Sequence, residues 1–338
     1  MTETSMHLDA IRKKSGYVIS NELGRLCIIT AVIFILMSSL NPQKFLTVDN
    51  MQSMTFQIAE LGFFSVAMMF SMIVGGIDLS IVSIANLSGI LASFILKSAA
   101  DQNASGSVLA AYLILAVAVS LAVGIACGVF NGILISKFNV TPMLATLGTM
   151  NLYTGIAIVL TQGHAVSGFP DVFLNFGNGI FLGIAVPCWL LILTLALSGV
   201  ILTKKQFGFR LRLVGSNPVA SLYAGINNDR VIIQTYVFNG ILCSVIGLEI
   251  LSSVNSAKAD YGVDYIFQTI LCAVLAGTNP NGGKGSVASL VFALVSLQLL
   301  SSGFDMLQLG GYCKNFIWGI LLLFVMVINF VLVNKKAR

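Results

Sequence analysis

Apolar residues run along this chain in long blocks separated by short polar stretches. Neither the alternation of a half-buried strand nor a one-sided helical stripe dominates. The blocks fall at 26–40, 58–74, 81–97, 108–130, 143–160, 180–203, 231–254, 266–277, 287–300 and 315–332. Several approach the roughly 20 residues that a straight helix needs to cross a bilayer core. A few are shorter, as broken or partly re-entrant helices are. The pattern predicts an all-α polytopic membrane protein with about ten transmembrane helices. Block 26–40 also has the length of a signal-peptide core, but Asn41-Pro42 follows it rather than a small-residue cleavage pattern, so it is read as the first span.

Composition agrees with the pattern. Of 338 residues, 57% are hydrophobic and only 9% charged, with a mean hydropathy of +0.94. Soluble domains carry about 25% charged residues. The chain therefore divides into a cytoplasmic N-terminal segment (1–25), a single transmembrane domain (26–334) and a short cytoplasmic tail (335–338). Charge sets the orientation. With both termini inside, the loops 131–142, 204–230 and 278–286 are cytoplasmic, and these regions hold 14 of the 18 Lys and Arg residues. Lys44, Lys97, Lys258 and Lys314 remain outside. Nine spans would instead place Lys335, Lys336 and Arg338 outside. The formal net charge of +5 is thus an orientation signal and gives no reason to expect a nucleic-acid partner.

Candidate chemistry is sparse. The cysteines (Cys27, Cys127, Cys188, Cys243, Cys272 and Cys313) lie mostly in apolar runs without a CxxC pair, and read as small buried hydrophobes. With His7 and His164 the only histidines, neither a metal centre nor a nucleophile–base pair is visible. No catalytic residue and no cofactor are expected.

The polar interruptions carry more. Gly75-Gly76-Ile77-Asp78-Leu79-Ser80 breaks two apolar blocks; paired glycines end one helix, and Asp78 or Ser80 is placed to cap the next. A carboxylate inside an apolar region is costly, so Asp78 reads either as a cap at the membrane interface or as a functional group. Gln57, Glu60 and Phe64 fall about one helical turn apart and share a face, which makes them the first candidates for a polar translocation path. Asn131, Asn151, Asn239 and Glu249 read as helix-to-helix hydrogen bonders, and Ser80, Ser83, Ser88 and Gly89 as small residues permitting close packing.

Two cytoplasmic loops stand out. Residues 277–286 (GTNPNGGKGS) approach a phosphate-binding loop but fail it: Gly283 stands where the lysine is required, and no strand precedes the segment. A tight glycine-rich turn is the better reading, and ATP hydrolysis is not expected of this chain. In the loop 204–230, Ser216 or Asn217 suits an N-cap, Pro218 the first turn and Gly225 the C′ stop. The short helix between them offers Val219, Leu222 and Tyr223 to a docking partner or to its own bundle. On the outside, loop 99–107 is short, while 161–179, with His164, Pro170 and Asp171, could meet an extracytoplasmic partner or serve as a solvated connector.

Four stretches stand in one order: GGIDLS (75–80); GVFNGILI (128–135) leading into TPMLATLGTM (141–150); residues 207–226; and residues 277–286. Together they resemble the inner-membrane permeases of ribose-type bacterial ABC sugar importers, which carry ribose, galactose, arabinose or autoinducer, over nearly the whole chain. The resemblance implies a multi-pass protein of the bacterial cytoplasmic (inner) membrane that works as a permease dimer among membrane lipid. It further implies a separate cytoplasmic ATPase with two nucleotide-binding domains and a periplasmic or lipid-anchored sugar-binding protein. On it, Gly215, Ser216, Asn217, Pro218, Ala220, Leu222 and Gly225 belong to the ATPase-coupling loop, and Gly75, Gly76, Asp78 and Ser80 to a helix-break motif. Val82, Ser216 and Ala276 stand where the family usually has glycine, and Ala288-Ser289 replaces a common Gly-Thr. Such drift suits one half of a heterodimer, with a homodimer as the alternative. A different class also remains open: an ion-coupled secondary transporter using Glu60, Asp78 and Glu249.

Overall fold

The computed structural model describes the backbone of residues 23–337, and side chains as far as residue 327. The expected segment 1–25 lies almost wholly outside these residues, as do the tail side chains. Among the described residues, eight helices are long and apolar enough to cross a membrane. They are α1 (Leu23–Leu40), α3 (Val48–Val74), α4 (Ile81–Asp101), α5 (Gly106–Ser136), α6 (Pro142–Thr161), α8 (Val186–Lys204), α11 (Asn228–Val254) and α13 (Val287–Met306). Two further helices, α12 (Tyr265–Leu275) and α14 (Gly311–Ala337), have shorter apolar stretches. Short pieces complete the order: α2 (Pro42–Phe45), β1 (Val166–Ser167), α7 (Asp171–Asn178), β2 (Ile180–Phe181), β3 (Ile184–Ala185), α9 (Gln206–Ser216), α10 (Pro218–Tyr223) and β4 (Ser256–Ala257).

Helix starts differ from the apolar blocks for local reasons. α3 begins at Val48 rather than near 58, because the Thr47 side chain accepts from the Asn50 N–H at 3.3 Å and Asp49 sits in the first turn. Block 180–203 becomes helical only at Val186. Before it, β2 and β3 pair across Leu182-Gly183, both with positive φ, as a two-residue hairpin turn requires.

The core is built on α3. Every residue from Leu61 to Ile73 is buried, against α4, α8, α11, α12 and α13. α5 and α11 meet backbone to backbone. A Cβ on Gly124 would lie 2.2 Å from the Gly240 carbonyl oxygen, and one on Gly240 would lie 2.0 Å from that of Gly124. Gly128 and Gly132 continue the same face against Tyr236 and Ile233. A four-residue glycine spacing lets two helices approach this closely in lipid, where dispersion replaces the hydrophobic effect as the packing force. Large apolar side chains such as Ile114, Leu193 and Val159 point outward from α5, α8 and α6, as a lipid-facing surface does. Asn151 also faces outward, and its amide donates to Leu147 of its own helix. Among the described residues it bonds within its own helix and to no other, unlike the helix-to-helix bond expected of it.

Candidate functional site

The GGIDLS segment lies largely within the protein. Asp78 and Ser80 are fully buried, and the chain from Gly75 to Ser80 folds back among helices. One oxygen of Asp78 accepts from the Ser80 N–H at 3.1 Å and from the Ser80 hydroxyl at 2.6 Å. The other accepts from the Asn239 amide at 3.2 Å. The Asn131 amide donates to the Ser80 hydroxyl at 2.8 Å, and the Tyr153 hydroxyl donates to the Asn131 carbonyl oxygen at 3.2 Å. A carboxylate in this setting is tolerable because buried hydrogen-bond donors replace water around it. The capping expectation needs correction. Ser80 is the N-cap of α4 but its side chain caps no N–H further along, and Asp78 bonds Ser80 rather than the first turn of the helix. The role is long-range: Asp78 ties the break to α11, and Ser80 ties it to Asn131 of α5, which in turn holds Tyr153 of α6.

Other sequence motifs close on the same break. The Thr146 hydroxyl accepts from the Leu79 N–H and lies 3.1 Å from the Ile77 carbonyl, so the ATLGTM stretch brackets the extended residues. A Cβ on Gly76 would fall 2.4 Å from Pro142. At the end of α3, the Gly283 N–H donates to the Ile73 carbonyl at 2.9 Å, and Gly215 of α9 would place a Cβ 1.9 Å from that oxygen. Arg212 adds a bond from its guanidinium to the Gly285 carbonyl at 3.2 Å, and burial draws that guanidinium below its ordinary value. The glycine-rich loop 277–286 is thus a clasp joining α9 to α3. Gly282 and Gly283 have positive φ, which only glycine adopts without strain.

α10 follows that clasp directly. Asn217 is its N-cap, with the side chain accepting from the Val219 and Ala220 N–H groups at 3.1 and 2.9 Å. Pro218 opens the helix and Gly225, at φ 76°, stands just beyond its end. Gly215 and Ser216 belong to α9 instead. Val219 is 61% exposed, Leu222 59% and Tyr223 90%, so the apolar face is turned away from the rest of the chain.

Half-way along α3 a second set of polar groups gathers. Glu60 accepts from the Tyr265 hydroxyl at the start of α12, and the Phe64 ring lies 6.0 Å from that of Tyr265. Gln57 accepts from the Gln298 amide at 2.8 Å. All three residues expected to share a face therefore do so, turned toward α12 and α13. A cavity of about 300 Å³ opens there, between α3, α12, α13 and α14. The chain entering α12 is irregular, and Asn86 of α4 donates to the Ala259 and Tyr261 carbonyls at 3.0 and 2.8 Å. Non-helical backbone among spans is stable where protein groups satisfy it or where it lines a polar cavity. Glu249 of α11 is 2% exposed, and neither carboxylate oxygen has a hydrogen-bond partner among the described residues.

Several of these residues carry no legible signal in the sequence. Tyr153, Thr146 and Gln298 lie within apolar blocks and Tyr265 just before one, and nothing local says which helix they face. The Gly124-x3-Gly128-x3-Gly132 spacing was available as a signal for close packing.

Comparison with known proteins then gives a consistent picture. The family described as the permease component of branched-chain amino acid transport systems matches residues 50–326. The ribose import permease protein of Bacillus subtilis (strain 168) is 30% identical over 326 residues, covering 96% of this chain and 95% of the relative. The L-arabinose ABC transporter permease protein of Azospirillum brasilense is 29% identical over 289 residues, covering 85% and 82%. The autoinducer 2 import system permease protein of Enterobacter sp. (strain 638) is 29% identical over 308 residues, covering 89% and 90%. No solved structure matches the chain.

Proposed function

We propose that this chain, which belongs to the family of ABC-importer permeases that includes the ribose, arabinose and autoinducer 2 import permeases, is the membrane-spanning subunit of an ATP-driven importer for a sugar or sugar-like solute. A separate cytoplasmic ATPase with two nucleotide-binding domains supplies the energy, and an extracytoplasmic binding protein delivers the solute. A second permease, identical or related, completes the pathway.

One observation carries the reading: a short capped helix, α10, presents an unpartnered apolar face next to a clasp on α3. An exposed Val-Leu-Tyr patch on a cytoplasmic loop calls for a protein partner. Movement of that partner would pass from α10 through α9 and Gly215 to the end of α3. The other half of α3 carries Gln57, Glu60 and Phe64, the residues proposed to line the path. Rigid elements in contact transmit such motion without further machinery. In this reading Gly75, Gly76, Asp78 and Ser80 act as the joint that lets α3 and α4 shift together.

Pull-down of the tagged chain from its native membrane in mild detergent tests the proposal. Recovery of a tandem ATPase, lost when 215–225 is disrupted in a still-inserted protein, is the expected result. A related permease in the same complex would establish the heterodimer. The unpartnered carboxylate of Glu249 favours a second reading, ion-coupled secondary transport. Solute uptake by the chain alone in liposomes, without ATP, would replace the first reading with the second.

A further inference from the structure

We propose that the cavity between α3, α12, α13 and α14 is a resting site for a neutral polyhydroxylated solute of monosaccharide size; this deepens the importer reading and rests on it. At about 300 Å³ the cavity stands at the lower end of small-ligand sites, room for one sugar ring and not for a chain of them.

Its lining has the chemistry that vicinal hydroxyls need, donors and acceptors interleaved at close range. Gln57 and Gln298 bond each other at 2.8 Å, which fixes both amides and leaves further donor and acceptor capacity on each. Gln268, one turn into α12, bonds to no residue among those described, so its amide is free for a ligand. Asp264 accepts from the Asn315 amide at 3.0 Å and retains acceptor capacity. Trp318 is 3% exposed and held edge-on against Phe304, with ring centroids 5.8 Å apart. So little of the ring is open that it backs the cavity as a rigid apolar wall rather than stacking on a solute.

Charge argues against an anionic or zwitterionic occupant. Lys314, the cation in the lining, is already paired with Asp305, so a solute carboxylate would have to displace that partner. The Asp264 carboxylate is held by the neutral Asn315 amide and can still accept from a solute hydroxyl. An amino acid would also bring an apolar side chain into a wall rich in amides. A sugar displaces neither pair. Behind the wall, Glu60 fixes the Tyr265 hydroxyl, so the aromatic ring at the α12 start is held in place before any solute arrives.

The chain has two tryptophans, Trp189 and Trp318. Trp189→Phe therefore makes Trp318 fluorescence a reporter of the cavity. The full-length chain, in lipid nanodiscs without ATPase or nucleotide, is titrated with ribose, arabinose, allose and leucine. The expected result is a saturable Trp318 response to at least one of the three sugars and none to leucine. Gln268→Ala should raise the half-saturation about fivefold, the loss of one net hydrogen bond, while Gln162→Ala on a distant exposed turn leaves it unchanged. Gln268 has no partner to lose among the described residues, so its variant should melt as the parent does. Absence of a response to all three sugars, a saturable leucine response, or an unchanged half-saturation in Gln268→Ala each overturns the site. The assay needs no ATP. An importing complex without the response would therefore sink the site alone, and a response without ATP-driven import would keep the site and sink the importer reading.

Discussion

The Gly283 N–H donates to the Ile73 carbonyl at 2.9 Å, and Gly215 stands so close to the same oxygen that a Cβ there would lie 1.9 Å away. One carbonyl in the last turn of α3 thus serves the glycine-rich loop and fixes how near α9 can come. The last carbonyls of a helix need such outside partners.

Gly215→Ala should consequently push α9 off α3, although alanine is the better helix former in isolation. Backbone oxygen cannot swing aside as a flexible side chain can. The expected cost is about 1–3 kcal/mol, the usual range for overpacking. It should appear as a lower melting temperature together with loss of ATP-driven uptake. Gly148→Ala, where a Cβ meets nothing within 4 Å, should change neither. Equal melting and uptake for Gly215→Ala and its parent would remove the clasp from the mechanism.

Asp78 separates hydrogen bonding from charge. Its carboxylate takes two bonds from Ser80 and one from Asn239, while the Asn239 carbonyl oxygen has no partner. In Asp78→Asn the new amide can keep the Ser80 bonds through its oxygen and donate to a flipped Asn239, which exchanges the orphan oxygen for an unpaired Asn239 NH2 and leaves the number of unmet groups unchanged. Asp78→Asn should therefore remain near the parent in stability and uptake. Asp78→Ala strands the donors and should cost about 1–3 kcal/mol for each buried group left unpaired. Melting and uptake of the two variants, measured side by side, check this. Abolished uptake in a stable Asp78→Asn protein would mean that the charge itself is used, as ion coupling requires.

The exposed face of α10 predicts a variant that harms only assembly. Replacing Val219, Leu222 and Tyr223 together by serine removes no buried contact, so melting should move by about 0.5 kcal/mol or less. Co-purification of the ATPase should fall sharply. Asn217→Ala should do the opposite in part, losing about 1 kcal/mol of cap energy and weakening docking through fraying of α10. Unchanged ATPase recovery with the triple-serine protein would place the docking surface elsewhere.

Much of this arrangement is legible before any coordinates. Uninterrupted apolar blocks specify helices by length alone, and Asn217-Pro218 with Gly225 writes both ends of α10 in local chemistry. The Gln57, Glu60 and Phe64 spacing fixes a common face because helical geometry does. What they face is not local. Tyr265 lies more than half the chain away from Glu60, and no period or cap encodes that meeting. GGIDLS is harder still: glycines announce a break, but its direction depends on Asn239, Asn131 and Thr146, which lie far along the chain, and Asn131 falls where hydropathy suggests a loop although α5 continues to Ser136. Helix starts were misplaced at Val48 and Val186 because hydropathy marks lipid-compatible residues, whereas caps and hairpin turns decide where helices begin.

Gly240 makes the sharpest packing prediction. A Cβ there would sit 2.0 Å from the Gly124 oxygen, and one on Gly124 would sit 2.2 Å from the Gly240 oxygen. The two helix backbones are in direct contact, so either alanine must open the α5–α11 contact along its length, carrying Asn131 and Asn239 away from Ser80 and Asp78. Gly240→Ala should therefore destabilise by at least the roughly 1–3 kcal/mol of ordinary overpacking. The double variant Gly124→Ala/Gly240→Ala should cost clearly less than the sum of the singles, because the first substitution already creates the space that the second occupies. Gly155→Ala and Gly199→Ala, with nothing within 4 Å of a Cβ, should be silent. Thermal melts of the four single variants and the double check the whole set. Additive losses at positions 124 and 240 would show that the two glycines relieve separate strains rather than one shared contact.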